Sequence, residues 1–285
     1  MLSSPSQEYL LPSDKRETGR LNLQHRIIVK AFNQLALAPL SLKAGDRVLE
    51  SGAGSGIWAL EFCEQNRKES IPLNVQCIDL SPDQFPLQYP PEIQFSLYSI
   101  TDLPANWSDT FVYVHQRLLV AALNPSQWKE AINQIFRVLR AGGWAEFVES
   151  PTKVRHFGVG PNSKQLVRLG DLLYKEKDRV GDLEDYLPSI LKGAGFVDIH
   201  RESRDVPISA SIEDGLDRVQ QWYDLWKGMK GAILAAGGYG IVKTEAEYES
   251  LLLGCREEWM ESKDAYTTYW TIIARKPRGL RTLAV

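Results

Sequence analysis

Short apolar runs alternate along the chain with longer segments in which apolar residues recur every three or four positions. The short runs predict buried parallel strands, and the helical spacing between them predicts amphipathic helices that pack on a sheet. Five strand candidates with alternating helices are followed by two further strand candidates. This order predicts an α/β protein with a seven-stranded, mostly parallel sheet and helices on both faces.

Residues 46–61, DRVLESGAGSGIWALE, combine a strand, a turn and the start of a helix. Val48 and Leu49 supply the apolar run of the strand. The turn contains three alternate glycines, Gly52, Gly54 and Gly56. Glycine tolerates a positive φ and lets the backbone approach a ligand closely. Because the turn leads into the positive N-terminus of a helix, it predicts a site for a polar or anionic ligand.

A second apolar run, LNVQCIDLSP, ends in Asp79, which follows the last glycine by about two dozen residues. An acidic residue at this point of dinucleotide-binding folds accepts hydrogen bonds from the hydroxyls of a ribose. The glycine spacing is GxGxG rather than GxGxxG, which argues against NAD or FAD. A glycine-rich turn in some other α/β protein is the alternative interpretation.

VLESGAGSGIWALEF and IDLSPDQFP resemble the first and second motifs of class I S-adenosylmethionine (SAM) methyltransferases. They are most similar to the fungal LaeA-like methyltransferases, whose usual forms are VLDIGTGTGIWAIDF and DLSPIQP. The resemblance implies a Rossmann-like class I methyltransferase fold, with SAM as cofactor and S-adenosylhomocysteine as product. It also implies that the cofactor contacts Glu50, Ser51, Gly52, Gly54, Gly56, Trp58, Asp79 and Leu80.

The segment before the first strand, residues 9–37, has the apolar spacing of a helical pair, with Ser13 as a possible cap. Its Y-x-L-P-x-D and R-L-x-L-Q-H patterns are similar to those of the LaeA-like family. The resemblance implies an N-terminal lid, residues 1–40, whose Tyr9, Arg20 and His25 face SAM, in front of a methyltransferase domain at 41–285. An exposed arginine and a hydrogen-bonded histidine that need no ligand are the alternative.

The third and fourth strand candidates bring further residues to the cofactor. The family usually has paired acidic residues after the third strand, but Tyr98 and Ser99 stand there in this chain. Ser99, Ile100 and backbone amides are therefore expected near the adenine.

The fourth strand, FVYVHQR, resembles the family's F-D-x-I-H-x-R, with His115 and Arg117 in the matching places. The resemblance implies that His115 lies near the reacting methyl, as cofactor contact and first candidate for a general base, while Arg117 contacts substrate. His156 is the second candidate base. The alternative is a His115 that packs in the wall and hydrogen-bonds backbone.

The next helix is expected to be capped at Ser126, and RAGGWAEFVES is similar to the family's glycine turn and fifth strand. Glu149 lies near the ligand end of that strand and is a candidate for substrate contact. A solvated carboxylate at the edge is the alternative.

The resemblance implies that residues 151–190 and 210–262 contain inserted substrate-recognition helices, the last of which is expected to be capped at Thr244. Trp222 and Trp226 form an aromatic stripe that fits either a substrate pocket or ordinary core. AYTTYWTIIARKP resembles the family's last, antiparallel strand. Its Tyr266 is a candidate for the substrate pocket.

Composition narrows the function. The chain has 285 residues, a formal net charge of −3 and no block of Lys and Arg, which argues against nucleic-acid binding. No apolar run approaches the about 18 residues of a membrane helix, and the polar N-terminus lacks a signal-peptide core, so a cytoplasmic location is expected. No metal is expected, because the three cysteines, Cys63, Cys77 and Cys255, are scattered and outside any CxxC motif.

The resemblance implies methyl transfer from SAM to an oxygen, nitrogen or sulfur atom of a small molecule, a secondary metabolite. A LaeA-like regulator that binds SAM and acts through protein partners is the alternative. The short segment before Tyr9 favours the enzyme, since regulators of the family carry long N-terminal extensions. A SAM-binding protein without methyl transfer is the third possibility.

Overall fold

The strand candidates become seven strands in the computed structural model, which describes residues 10–11, 15–150 and 156–279. The strands are β1 (Arg47–Ser51), β2 (Asn74–Asp79), β3 (Ile93–Leu97), β4 (Phe111–Arg117), β5 (Leu139–Glu149), β6 (Val197–Pro207) and β7 (Tyr266–Arg275). The α-helices are α1 (Lys15–Phe32), α2 (Ile57–Lys68), α3 (Pro125–Val138), α4 (Pro161–Glu176), α5 (Leu183–Gly193), α6 (Gly215–Ala235) and α7 (Glu245–Glu261).

The strands form one sheet in the order β3-β2-β1-β4-β5-β7-β6. The first five in this order pair in parallel, and β7 runs antiparallel to both of its neighbours. The predicted seven-stranded, mostly parallel sheet with an antiparallel last strand is confirmed. The order of strands reverses between β1 and β4, and doubly wound sheets bind ligands at the carboxyl ends of the strands on either side of such a reversal.

Helices cover both faces of the sheet, as predicted. On one face, Trp58 and Phe62 of α2 pack on the first strands, while Ile28 of α1 packs near Val148 and Tyr269. On the other face, apolar side chains of α3 and α5 form the largest core with the inner strands. Burying one apolar stripe of each helix against a sheet is the main source of stability in such layers.

The remaining helices, α4, α6 and α7, form a layer with an apolar core of its own. Leu166, Trp226, Tyr248 and Trp259 meet there, each nearly inaccessible to solvent. This layer contains most of the two segments predicted as substrate-recognition helices. α5, which begins within the first of those segments, packs on the sheet instead.

Two local expectations differ from the structure. α3 is capped by Asn124 rather than Ser126, because the Asn124 side chain accepts from the Gln127 backbone N–H and Pro125 takes the first helical position. The region predicted as a helical pair contains a single helix, α1, within the described residues, and Ser13 lies outside them. The cap at Thr244 is confirmed by its bond from the Glu247 N–H, 3.1 Å long.

The cysteines are buried thiols within the apolar cores. Cys63 and Cys77 pack among the side chains between α2 and the first strands, as expected of small apolar residues. Burial raises the pKa of the Cys63 thiol to about 11, so it stays protonated. In the part of the chain that the structure describes, no helix is long and apolar enough to cross a membrane.

Candidate active site

The three glycines between β1 and α2 all adopt left-handed backbone conformations. The φ angles of Gly52, Gly54 and Gly56 are +65°, +50° and +69°, values that a residue with a Cβ rarely adopts. Gly56 is also the N-cap of α2, so the loop ends at free backbone N–H groups of a helix. The sequence requirement for glycine at these positions is therefore confirmed.

Asp79 connects the end of β2 to this glycine loop. Its Oδ2 accepts the Gly54 N–H at 2.8 Å, and its Oδ1 accepts the Leu80 N–H at 2.7 Å. Burial raises the pKa of Asp79 above its ordinary value, and these backbone hydrogen bonds counteract part of the rise. The carboxylate is thus held beside the loop, where the sequence placed its contact with ribose.

Side chains from other elements lie directly on the loop. A Cβ built on Gly54 would come within 3.1 Å of Leu21 Cδ1 and 3.4 Å of Gln84 Oε1, and one on Gly52 within 2.9 Å of Leu119 Cδ2. The Ser55 hydroxyl donates to Asn22 Oδ1 at 2.6 Å. Helix α1 therefore packs on a backbone cradle that a Cβ would fill, and such a cradle fits a ligand that approaches the backbone closely.

Two residues expected to face SAM are buried between α1 and the sheet. Arg20, which is 5% exposed, donates to Glu17 through Nε at 2.8 Å and Nη2 at 2.5 Å. His25 lies between Arg117 Nη1, 2.7 Å from its Nδ1, and Glu61 Oε2, 2.8 Å from its Nε2. The alternative interpretation, in which Arg20 is exposed, is wrong because α1 buries this side chain. Tyr9 lies outside the described residues.

His115 and Glu50 form a buried pair on neighbouring strands. His115 Nδ1 lies 2.5 Å from Glu50 Oε2, and its ring stacks on Trp58 with a centroid distance of 3.9 Å. Burial lowers the pKa of His115 to about 3 and raises that of Glu50. His115 therefore packs in the wall, as the alternative held, but it pairs with a carboxyl group rather than with backbone. Its role as a base stays a prediction.

Glu149 lies inside the protein and holds the turn after β4. Its two oxygens accept the backbone N–H groups of Leu119, at 3.0 Å, and Val120, at 3.1 Å. Burial raises the pKa of Glu149 to about 8. The alternative of a solvated edge carboxylate is therefore wrong. The substrate contact stays a prediction, although both oxygens already have backbone partners.

Three predicted residues line one cavity beyond the carboxyl end of β5, and a fourth, Tyr266, lies beside it. The cavity has a volume of about 40 Å³, and His156, Trp222 and Trp226 are among its lining residues. The ring of Tyr266 stacks on His156 with a centroid distance of 4.3 Å and an interplanar angle of 9°. Seven further lining residues were not predicted: Ser150, Phe157, Tyr174, Leu225, Met229, Thr267 and Thr268. Phe157, Tyr174, Leu225 and Met229 had a signal, since they lie in the two segments predicted to contain substrate-recognition helices.

The corner of the sheet expected to hold adenine is exposed. Leu80 and Tyr98, at the ends of β2 and β3, are 58% and 40% exposed. Ser99 Oγ lies 2.7 Å from Thr101 Oγ1, and Ile100 is buried in the sheet core. Tyr98, which stands where the family has an acidic residue, presents a half-exposed aromatic ring at this corner.

The sheet order, the glycine cradle after β1 and the carboxylate at the end of β2 together define a nucleotide-type site of the class I methyltransferase kind. A family model described as methyltransferase domain matches residues 23–200. The chain belongs to this family and is a SAM-dependent methyltransferase. The cofactor and the enzyme class expected from the sequence are thereby confirmed.

The curated relatives come from fungi. N-methyltransferase gliN of Aspergillus fumigatus is 29% identical over 215 residues, which cover 72% of this chain and 74% of gliN. Methyltransferase pytC of Aspergillus terreus is 28% identical, over 94% of this chain and 83% of pytC. Protein-methionine methyltransferase laeA of Emericella nidulans is 26% identical, over 76% of this chain and 58% of laeA. The resemblance to the fungal LaeA-like family is confirmed.

Among solved structures, a phosphoethanolamine N-methyltransferase 2 of Haemonchus contortus, solved with S-adenosylhomocysteine, superposes with a TM-score of 0.50. The sequence identity is 19%, and the match covers 89% of this chain and 53% of that one. At this identity the likeness shows the fold alone. It confirms the Rossmann-like class I methyltransferase architecture.

Proposed function

We propose that this enzyme transfers the methyl group of SAM to a nitrogen atom of a small molecule held in the cavity beside Tyr266. The observation that carries the proposal is this cavity, which brings aromatic walls and one histidine to the ligand edge of the sheet. Nitrogen is favoured over oxygen and sulfur because gliN and sirN, a relative from Leptosphaeria maculans, are named N-methyltransferases.

SAM supplies a methyl group that is already activated on a sulfonium. The protein's task is to hold the acceptor's lone pair in line with that methyl group and to exclude water. The glycine loop and Asp79 hold the cofactor end, and the rings of Trp222 and Trp226 shield the acceptor end. Since β1, β4 and β5 are neighbours, Ser150 lies roughly 10 Å along the sheet edge from the glycine loop. The two ends are close enough to share one reaction.

We assign the general base to His156 rather than His115. The nitrogen of an N–H acceptor must lose a proton as it gains a methyl group, and a neutral imidazole within reach can take that proton. His156 is exposed, lines the cavity and is oriented by the stack on Tyr266. His115 is 1% exposed and held between Glu50 and Trp58.

The N-terminal segment, residues 1–40, serves as the lid of the cofactor site in this proposal. Leu21 and Asn22 of α1 contact the glycine loop, which supports that assignment. Arg20 and His25 then act by fixing α1, through Glu17 and Arg117, rather than by contact with SAM. The proposal includes the cytoplasmic location expected from the sequence, which fractionation of the native host cells tests.

The test is a screen of purified enzyme with SAM against small amines and amides, with phenols and thiols beside them. The readouts are formation of S-adenosylhomocysteine and a gain of one methyl group by the acceptor. Turnover of an N–H compound supports the proposal, and turnover of phenols or thiols alone overturns the choice of nitrogen.

The base is tested with His156→Phe, which keeps a ring on Tyr266 but removes both nitrogens. We expect kcat to fall about a hundredfold, with the affinity for SAM unchanged. The matched control is His200→Phe at an exposed position on β6, which should keep full activity. Equal turnover by His156→Phe and the control would remove His156 as the base.

The alternative function, a regulator that acts through protein partners, predicts a different experimental result. Relatives include the protein named secondary metabolism regulator laeA, of which the match covers 58%. An enzyme of that kind would transfer labelled methyl from SAM to protein and methylate none of the small molecules. Labelling of a partner protein, with an empty small-molecule screen, would replace the proposed function by the regulatory one.

A further inference from the structure

Ser51 and Gln116 lie side by side at the ligand end of the sheet. Ser51 is the last residue of β1, Gln116 is the last but one of β4, and the two are Cα partners in the parallel ladder. Partners in register direct their side chains to the same face of a sheet. Since the strand order reverses between β1 and β4, this pair stands at the point where doubly wound sheets bind their ligands.

Both side chains are buried without hydrogen-bond partners. Ser51 is 1% exposed and Gln116 is 0% exposed. Within the described residues, Ser51 Oγ and both polar atoms of the Gln116 amide lack a partner. Buried polar groups in folded proteins are nearly always paired, because an unpaired one loses its hydration without compensation. An apolar side chain would avoid this cost, so the amide weakens the ligand-free protein.

The chain that directly follows β4 is strained. Leu118, directly after β4, has a φ of +58°, a left-handed conformation that a bulky residue adopts at a cost in free energy. Leu119 then presses on Gly52, and the buried Glu149 fixes the turn through two backbone N–H groups. Strain and unpaired buried groups coincide here next to the glycine cradle, and such features concentrate at ligand sites.

The position of Asp79 sets the direction of the cofactor along the edge. A ribose held at Asp79 would place the adenine at the exposed apolar corner of Leu80 and Tyr98, beside β2 and β3. The amino-acid end of SAM would then extend the other way, over β1 and β4. That end carries an ammonium donor and a carboxylate acceptor. A primary amide complements both, because its oxygen accepts and its nitrogen donates.

We propose that Gln116, assisted by the Ser51 hydroxyl, is a positioning residue that pairs with the amino-acid end of SAM. The inference rests on the proposed function, because it needs SAM as the ligand. The amide is unpaired while Leu119 covers Gly52, and the ligand supplies the missing partners. The unpaired side chains thereby lower the stability of the ligand-free protein and raise its affinity for the cofactor.

The test compares wild type with Gln116→Leu by calorimetry against three probes. SAM and S-adenosylhomocysteine carry the amino-acid end, and methylthioadenosine has the adenosine without it. We expect the affinity for the first two to fall about tenfold to hundredfold, as for a lost hydrogen bond to a charged group. The affinity for methylthioadenosine should not change, and the melting temperature without ligand should rise.

Thr271→Val is the matched control. Thr271 Oγ1, on β7, is also buried with no partner among residues 15–150 and 156–279, and valine has nearly the same shape. This variant should keep all three affinities. Ser51→Ala is the second variant, with the same pattern as Gln116→Leu, and it decides the question if Gln116→Leu does not fold.

Three results would overturn the inference: unchanged SAM affinity, an equal loss for methylthioadenosine, or a lower melting temperature of the ligand-free variant. The last would show that the amide has a partner, such as a buried water, without SAM. Failure of the proposed function is a different observation, in which the wild type binds SAM but methylates no small molecule.

Discussion

Nη1 of Arg117 lies 2.7 Å from Nδ1 of His25, which joins β4 to α1. A guanidinium has only donors, so Nδ1 must accept and the imidazole is neutral with its proton on Nε2. That proton points to Glu61 Oε2, 2.8 Å away on α2. Burial, and then the charge of Arg117, lower the pKa of His25 to about 4, in agreement with this tautomer. Three elements are thus joined through one neutral ring.

His25→Ala should destabilise the protein by about 2 to 4 kcal/mol, because it removes a buried ring and leaves a partly buried Arg117 donor without its partner. Urea unfolding at neutral pH, followed by circular dichroism, measures the change. His200→Ala, at an exposed position on β6, is the control and should stay within about 0.5 kcal/mol of wild type. Equal stability of the two variants would mean that α1 is held by its apolar contacts alone.

The pH dependence of unfolding should reveal Glu149. Its pKa is raised by burial from 4.5 to about 8, so between these values the folded state binds a proton that the unfolded state releases. The stabilisation of the folded state by the protonated Glu149 is therefore complete below about pH 4.5 and is lost as the pH rises towards 8. Glu149→Gln removes the titration, but its amide NH2 faces one of the two backbone donors, so this variant should be less stable than wild type near pH 5. The difference should shift in favour of the variant by about 3 to 5 kcal/mol between pH 5 and pH 8.

Glu257→Gln, at an exposed position of α7, is the control for that experiment and should follow the wild-type profile. Measuring the difference between variant and wild type removes the contributions of Glu50 and Glu146, whose pKa values are also raised by burial. A constant difference from pH 5 to pH 8 would show that Glu149 ionises normally in the folded protein.

Gly54→Val should abolish SAM binding in calorimetry. The position has a φ of +50°, and a side chain there would meet Leu21 and occupy the surface of the cradle. Gly231→Ala is the matched control, since a Cβ at this helical position has nothing within 4 Å. It should leave the affinity unchanged and stabilise α6 by about 0.5 to 1 kcal/mol. SAM binding by Gly54→Val at wild-type affinity would remove the glycine loop as the cofactor site.

The sequence was sufficient for the strands, the glycine loop and Asp79, because these depend on local periodicity and on backbone conformations that need glycine. It was insufficient for His25, Arg117 and Glu149. Their partners lie far away in the chain; His25 and Arg117, for example, are 92 positions apart. No local sequence pattern indicates such contacts. Gln116 was not predicted for a related reason. Its position beside Ser51 on the neighbouring strand depends on the register of the sheet, which the sequence does not reveal.

The helical layer of α4, α6 and α7 has an apolar core separate from those of the sheet, and it supplies half of the residues that line the cavity beside Tyr266. The family model ends at residue 200, before α6, so the shared pattern covers the cradle and leaves out Trp222 and Trp226. Substitutions of Trp222 or Trp226 would therefore reshape the cavity from within this layer, while the sheet side of the cavity, at Thr267 and Thr268, stays unchanged. The cavity beside Tyr266 and the glycine cradle thus lie in separately packed parts of the fold.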